Sequence, residues 1–355
     1  MNPSKKPTPR NRTVVDMDAI AKKLGVSKTT VHYALSRKGR VSEAMRSQIL
    51  TVASEMGYRP NLLARSLRTK RTQTIGVILS SLSSSFHAHL LEALDHAAQH
   101  NGYNIFLACS YRDADKERDL FDMMLSKGVD GIIAAPTSNE QHQAVYTQLG
   151  GDGVPIVFVD RDVPESHIDC VSVDNFVGGR LAAEHLLEGG RRRLGFVTMT
   201  HRGHQSSTVT ERLNGFNYAL QSAGLPPATV WGTNVIQQST GEAVGYEVVS
   251  SALAGRDVPF DAVFATNDNL AYGAMRAIRE AHLRIPQDIA VVGFDDQDAS
   301  AFVEPPLTTI RQPVQSVGVA AVELLLKHLK ADPASNRADP ERLKIEPTLI
   351  RRGSS

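Results

Sequence analysis

The chain is poor in cysteine and in long apolar runs, and each shortage closes off a class of protein. Two cysteines in 355 residues, Cys109 and Cys170, each inside an apolar strand-like run, make no disulfide framework and read as buried free thiols of a reducing compartment. No run of about 18 apolar residues occurs, and the opening "MNPSKKPTPRNR" has basic residues and prolines without an apolar h-region. Membrane insertion and export are therefore not expected, and a cytoplasmic protein is. Catalytic signatures are missing as well: there is no GxSxG, P-loop or HExxH pattern, and the 12 histidines are scattered. His201 and His204 share a polar, glycine-containing loop with no third ligand. No metal, no cofactor and no enzymatic activity are expected.

What is present is ordinary in amount and uneven in distribution. With 41% hydrophobic and 22% charged residues, the chain can bury two or three globular cores. The net charge of +1 hides two opposed parts. Residues 1 to 71 carry 16 Lys and Arg against four acids, a balance of +12; the rest carries 23 against 34, a balance of −11. A basic head on an acidic body is the footprint of a protein that grips a polyanion with one end. A merely solvated basic tail fits less well, because the head's charges are interleaved with patterned apolar residues.

Three apolar stripes at helical spacing run through the head: Met17, Ile20 and Leu24; Val31, Ala34 and Leu35; Met45, Ile49, Val52 and Met56. Asp16 or Asp18, Ser27 and Ser42 stand where N-caps belong. Gly25 permits the left-handed turn between the first two helices, and Ala21 lets them cross closely. The pattern is a helix-turn-helix. At about 100° per residue, the second helix turns Val31, Ala34 and Leu35 inward and Thr29, His32, Tyr33 and Ser36 outward, with Lys28 on the flank. Small hydroxyls, a phenol and one Lys suit base edges in a major groove. Ser27, Thr30, Arg37, Lys38 and Arg40 are the candidates for phosphate contact. In "GYRPNLLARSLRTKRT", Pro60 stops the third helix, Asn61 can cap, and "LLARSL" is a helix too short to be stable alone. A segment that folds on binding couples head to body.

From Thr74 onward short β-branched runs ("TIGVILSS", "NIFLACS", "GIIAAP", "PIVFVDR", "LGFVTM", "AVFATND", "IAVVGFDD") alternate with amphipathic helices. That alternation implies doubly wound parallel sheets, and the series restarts near residues 174 to 180, implying two α/β subdomains with a cleft between them. Ligands of such sheets bind beyond the strands' carboxyl ends. The polar residues there are Ser80, Ser81, Asp160, Arg161, Asn267, Asp268, Asp295 and Asp296. Carboxylates, an amide and an arginine suit the paired hydroxyls of a sugar.

The order "VSKTTVHYALSRKGRVSEAMRSQILTVASEMGYRPNLLARSLRTKRTQTIGVI" is similar to the DNA-binding head and hinge of the lactose/galactose-repressor family of bacterial transcription regulators, and the likeness continues through nearly the whole chain. The resemblance implies an N-terminal helix-turn-helix head and a periplasmic-binding-protein-like core of two doubly wound parallel subdomains. It implies base readout by Lys28, Thr29 and Tyr33, beside His32. It also implies minor-groove contact by the hinge positions Asn61, Ala64 and Leu67, with Leu67 wedged between base steps. Effector candidates by resemblance are Phe86, Asp160, Arg161, Arg212, Asn267, Asp268 and Asp295. Two departures stand out. His32-Tyr33 replaces the Ser-Arg of many members, which points to a different operator, and His87 replaces the aromatic or small residue often found there.

The expected organisation is a head over 1–59 with a flexible tail over 1–13 and a hinge over 60–73. An N-subdomain then spans 74–174 with about 312–341, and a C-subdomain 175–311 with about 342–355. The expected protein is a homodimeric repressor of a near-palindromic operator, controlled by a sugar-like effector. The chain ends at "RRGSS" without an apolar heptad tail, so a coiled-coil tetramer is not expected. The alternatives are a sugar-binding protein for transport or sensing, disfavoured by the basic head, and a sugar-modifying enzyme with a fused head, disfavoured by the lack of a recognisable nucleophile or acid/base pair.

Overall fold

The computed structural model describes residues 15–36, 39–58, 71–82, 85–137, 146, 153–163, 166–201, 206–235, 240–255, 257–331 and 339–355. The tail 1–13, Arg37, Lys38, Asn61, Ala64, Leu67 and His204 lie outside them. The chain divides into two units, Met1–Thr72 and Gln73–Ser355.

In the first unit, the Asp16 side chain accepts from the Ala19 N–H at 2.9 Å and starts α1 (Met17–Leu24). Gly25 ends it at φ 67°, a left-handed conformation glycine adopts without Cβ strain. The Ser27 hydroxyl accepts from the Thr30 N–H at 3.0 Å and starts α2 (Lys28–Ser36). Ser42 caps α3 (Glu43–Glu55) through the Met45 N–H at 3.4 Å. Ile20, Ala21, Val31, Ala34, Ile49 and Val52 are buried together, with Met17, Leu24, Leu35, Met45 and Met56 packed around them. The three stripes read from the sequence thus converge on one small core.

The second unit begins with β1 (Thr74–Leu79), α4 (Ser85–His100), β2 (Asn104–Cys109), α5 (Ala114–Ser126), β3 (Gly131–Ala134), β4 (Ile156–Val159) and β5 (Asp169–Val173). It continues with α6 (Asn175–Glu188), β6 (Leu194–His201), α7 (Ser207–Ser222), β7 (Thr229–Val235), α8 (Gly241–Leu253), β8 (Ala262–Ala265), α9 (Asp268–Glu280), β9 (Ala290–Asp295) and β10 (Thr308–Arg311). The last elements are α10 (Val314–Lys330), β11 (Arg342–Ile345) and β12 (Thr348–Ile350). One sheet has the order β11-β5-β4-β3-β1-β2, all parallel. The other has the order β12-β10-β9-β8-β6-β7, parallel except where β12 runs antiparallel to β10.

Both faces of each sheet are covered, which is why the strands read as continuous apolar runs. Ile75, Val77 and Ile133 meet Leu90 and Leu94 of α4 and Val317 and Ala321 of α10. Ile78, Ile132 and Phe158 meet Phe121 and Met124 of α5 on the other face. In the second sheet, Val197, Val263 and Val291 pack under α8 and α9, and Phe196, Phe264 and Val292 under α6 and α7. Helices α6 and α7 cross backbone to backbone: a Cβ on Gly179 would lie 1.9 Å from the Arg212 carbonyl oxygen, and one on Gly215 1.9 Å from that of Phe176.

The chain passes between the sheets three times: at Asp174, at Gln312–Pro313 and between β11 and β12. The third passage corrects the expected boundary after residue 341. Arg342–Ile345 pairs in parallel with Cys170–Val173, so it belongs to the first sheet, and the switch falls at residues 346–347. An edge strand needs one buried face at most, so its Arg342 and Lys344 disguise it in the sequence.

Candidate functional site

The head presents the outer face of α2. Thr29, Tyr33 and Ser36 are exposed and His32 is half-buried, while Val31 and Ala34 are buried. Lys28 opens the helix, and its Nζ donates to Asp18 Oδ2 at 2.5 Å. The ring of Tyr33 lies against Gly39, where a Cβ would come within 2.7 Å of Cδ2. Two candidates have local duties: the Ser27 hydroxyl is the α2 cap and also bonds the Thr30 hydroxyl at 2.8 Å, and Ser36 Oγ donates to the His32 carbonyl at 2.7 Å. Arg40 is exposed.

In the second unit the strand ends of both sheets gather polar side chains. Arg212 of α7 is buried, 6% exposed. Its Nε donates to Asn175 Oδ1 at 2.8 Å, its Nη1 donates to the Thr266 carbonyl, and its guanidinium lies 3.5 Å from the centroid of the Phe294 ring. Burial lowers the pKa of Arg212, opposed first by the charge of Asp295 and then by that of Asp160, while Arg161 adds to the lowering. Asp160 and Arg161 belong to the other sheet, so the charges of both subdomains act on one another. Asp295 sits at φ 122° and accepts from Gln312 Nε2 at 2.6 Å. Burial, opposed by Arg212, pushes its carboxyl up to about 6. Asp160, at φ 69°, stands 3.4 Å from Arg161 Nε, and Arg161 Nη1 donates to the Pro136 carbonyl at 3.5 Å.

Phe86 and His87 lie buried in the first turn of α4, their ring centroids 5.2 Å apart. His87 Nε2 faces Ser80 Oγ at 3.4 Å, and burial holds the imidazole neutral with its pKa pushed down to about 4. Arg112, in the turn after β2, is coupled to Arg161 and Asp160. Four buried polar atoms at these strand ends make no hydrogen bond among the described residues: His87 Nδ1, Ser110 Oγ, Thr137 Oγ1 and Arg161 Nε. Arg161 is among the strand-end candidates of the sequence; Ser110, Arg112 and Thr137 are not, although they follow "NIFLAC" and "GIIA" within a few residues.

Two strand-end candidates are spoken for. Asp268 has no exposed surface and accepts from the Gln297 N–H, Ser300 Oγ and Thr309 Oγ1 at 2.8, 2.7 and 2.6 Å. These three bonds tie its carboxylate to Gln297, Ser300 and Thr309, and an effector would have to compete with them for it. Asp296 binds Arg311 and Arg352, each at 2.6 Å. Asn267 caps α9, its Oδ1 accepting from the Leu270 N–H at 2.9 Å, and so has its amide NH2 left for a ligand. Two surface cavities, of about 290 Å³ lined by His185, Ala290 and Arg351 and about 440 Å³ lined by Phe176 and Tyr218, include none of the effector candidates in their linings. Neither gathers buried charge.

Comparison with known proteins places both halves. Residues 16–61 match the bacterial regulatory proteins of the lacI family, and residues 183–355 match the periplasmic binding protein-like domain. The HTH-type transcriptional repressor PurR of Actinobacillus pleuropneumoniae serotype 3 is 30% identical over 336 residues, 94% of this chain and 96% of that protein. The chain belongs to the lacI family. The HTH-type transcriptional regulator GalS of Salmonella typhimurium is 33% identical over 339 residues, covering 94% of this chain and 95% of its own. Among solved structures, the lac repressor dimer bound to operator and an anti-inducer superposes with a TM-score of 0.82 at 26% identity, over 96% of this chain and 99% of that one. The complex of the regulator CelR with cellobiose does so with a TM-score of 0.67 at 28% identity, over 96% and 100%. This lacI-family protein is a sequence-specific DNA-binding transcription regulator with a ligand-binding core, and not an enzyme. No described helix is long and apolar enough to cross a membrane.

Proposed function

We propose that this regulator is a cytoplasmic homodimeric repressor whose two heads read a near-palindromic operator and whose core binds a sugar-like effector between its subdomains. Lys28, Thr29, His32 and Tyr33 read bases; Ser27, Thr30, Arg37, Lys38 and Arg40 meet phosphates; Asn61, Ala64 and Leu67 enter the minor groove. The head spans 1–59 and the hinge 60–73. The N-subdomain comprises 74–174 with 312–345, and the C-subdomain 175–311 with 346–355. The observation that carries the effector reading is that Asp160 of one subdomain acts electrostatically on both Arg212 and Asp295 of the other, and Arg161 on Arg212. Carboxylates and guanidinium groups form paired, charge-assisted hydrogen bonds with vicinal hydroxyls, and Phe86 offers an aromatic ring to an apolar sugar face. Asn267 contributes its amide. A ligand that engages both pairs favours one relation of the subdomains, and so shifts the hinge and the heads.

A thermal-shift screen of the full-length protein against sugars, sugar acids, sugar phosphates and nucleobases tests this. The expected result is a stabilising sugar whose effect disappears in Asp295→Ala. Stabilisation by a nucleobase, or by a sugar equally well in Asp295→Ala, would refute the assignment.

A further inference from the structure

Lys28 is the first residue of the reading helix, yet its ammonium is already engaged by Asp18 of α1, at 2.5 Å. Asp18 is not the α1 cap, since Asp16 fills that place. It is one of only four acids in a segment whose balance is +12, and an acid beside a DNA-reading surface repels phosphates. The two side chains are 57% and 58% exposed, so the pair contributes little to folding. Its consequence is geometric. Lysine is a compact charge on a flexible four-carbon stem, and a lone ammonium near DNA is drawn to whichever phosphate is nearest. Paired with a carboxylate, it loses much of that pull and keeps two N–H donors, enough to reach the O6 and N7 acceptors of a guanine. The other end of the same face is held too, because the Tyr33 ring rests on Gly39, itself at φ 75°.

We infer that Asp18 is a specificity-positioning residue: it holds the Lys28 ammonium toward a base edge and away from the phosphate backbone. The inference rests on the assignment of Lys28 to base readout.

The test is selection of bound sequences from a randomised duplex library by the full-length protein, with Lys28→Ala, Asp18→Asn and Asp18→Glu alongside, followed by affinities at several salt concentrations. Lys28→Ala should lose preference at one base pair of each half-site. Asp18→Asn should weaken the same preference by about fivefold or more, the scale of a lost base contact. Binding to random DNA should tighten, and the salt slope should steepen by about 0.9 per head as the released ammonium finds a phosphate. Asp18→Glu, which keeps the carboxylate, should restore most of the preference. If Lys28→Ala alters one base pair while Asp18→Asn strengthens all sequences equally, Asp18 is a mere counter-charge and the inference fails. If Lys28→Ala alters no base preference, the base-reading assignment falls and takes the inference with it.

Discussion

Gly179→Ala should uncouple ligand binding from an otherwise folded core. The added methyl would stand 1.9 Å from the Arg212 carbonyl oxygen and 2.9 Å from its Cα. A carbon tolerates a carbonyl oxygen at about 3.3 Å, so α7 must retreat by roughly 1.4 Å at the residue that carries the guanidinium. Overpacking of this kind costs about 1–3 kcal/mol, a fall in melting temperature of several degrees at about 2–4 °C per kcal/mol. The displacement also breaks the bonds from Arg212 to Asn175 and Thr266 that aim it. Losing one charged hydrogen bond to the ligand is worth about 1.5–3 kcal/mol, so effector affinity should fall roughly 10- to 100-fold. Gly232→Ala is the control: its methyl would stand 3.0 Å from the Thr198 carbonyl oxygen, between β7 and β6, neither of which carries an effector candidate. Differential scanning fluorimetry and titration calorimetry with the screened effector should show both variants destabilised and only Gly179→Ala impaired in binding. Equal loss of affinity in the two, or none in Gly179→Ala, would show that the placement of Arg212 does not govern effector binding.

Asp268→Asn tests the buried Asp268 carboxyl through pH. Burial raises the folded carboxyl to about 7 from an ordinary 3.8, so the folded state holds a proton that the unfolded state has lost. That stabilisation is complete below the ordinary value and is lost as pH rises through 7. Between pH 5 and 8 the melting temperature of wild type should therefore fall relative to Asp268→Asn, and parallel curves would contradict the shift. On the head, Tyr33→Ala should lower operator affinity about tenfold or more, within the range for one base contact, and random-DNA affinity far less; equal losses would sink base readout by Tyr33.

The head was legible almost entirely from local rules, because caps, a left-handed glycine and helical stripes act within a few residues of one another. Sequence left open whether Asp16 or Asp18 caps α1, and the answer released Asp18 for its bond to Lys28. In the core, the strand-end rule finds which residues reach the edge of a sheet but not which way they point. Asp268 and Asp295 both follow apolar runs, yet Asp268 turns beneath the sheet onto Thr309 and Ser300, over a glycine at 293 where a Cβ would come within 2.2 Å of its Oδ1. Asp295 is instead held by Gln312, a residue of a crossover. The last crossover was misplaced because Arg342–Ile345 is a polar edge strand, and its partner lies about 170 residues away in sequence. Long-range pairing of that kind leaves no local trace.

If one chain couples its core ligand to operator binding, the coupling of the two equilibria must be reciprocal. The measurement is the full thermodynamic cycle: operator affinity with and without effector, and effector affinity with and without operator, on one preparation. Each should change by the same factor, between about 5 and 150 for a coupling of ordinary size. An effector that binds the cleft yet leaves operator affinity unchanged would contradict it.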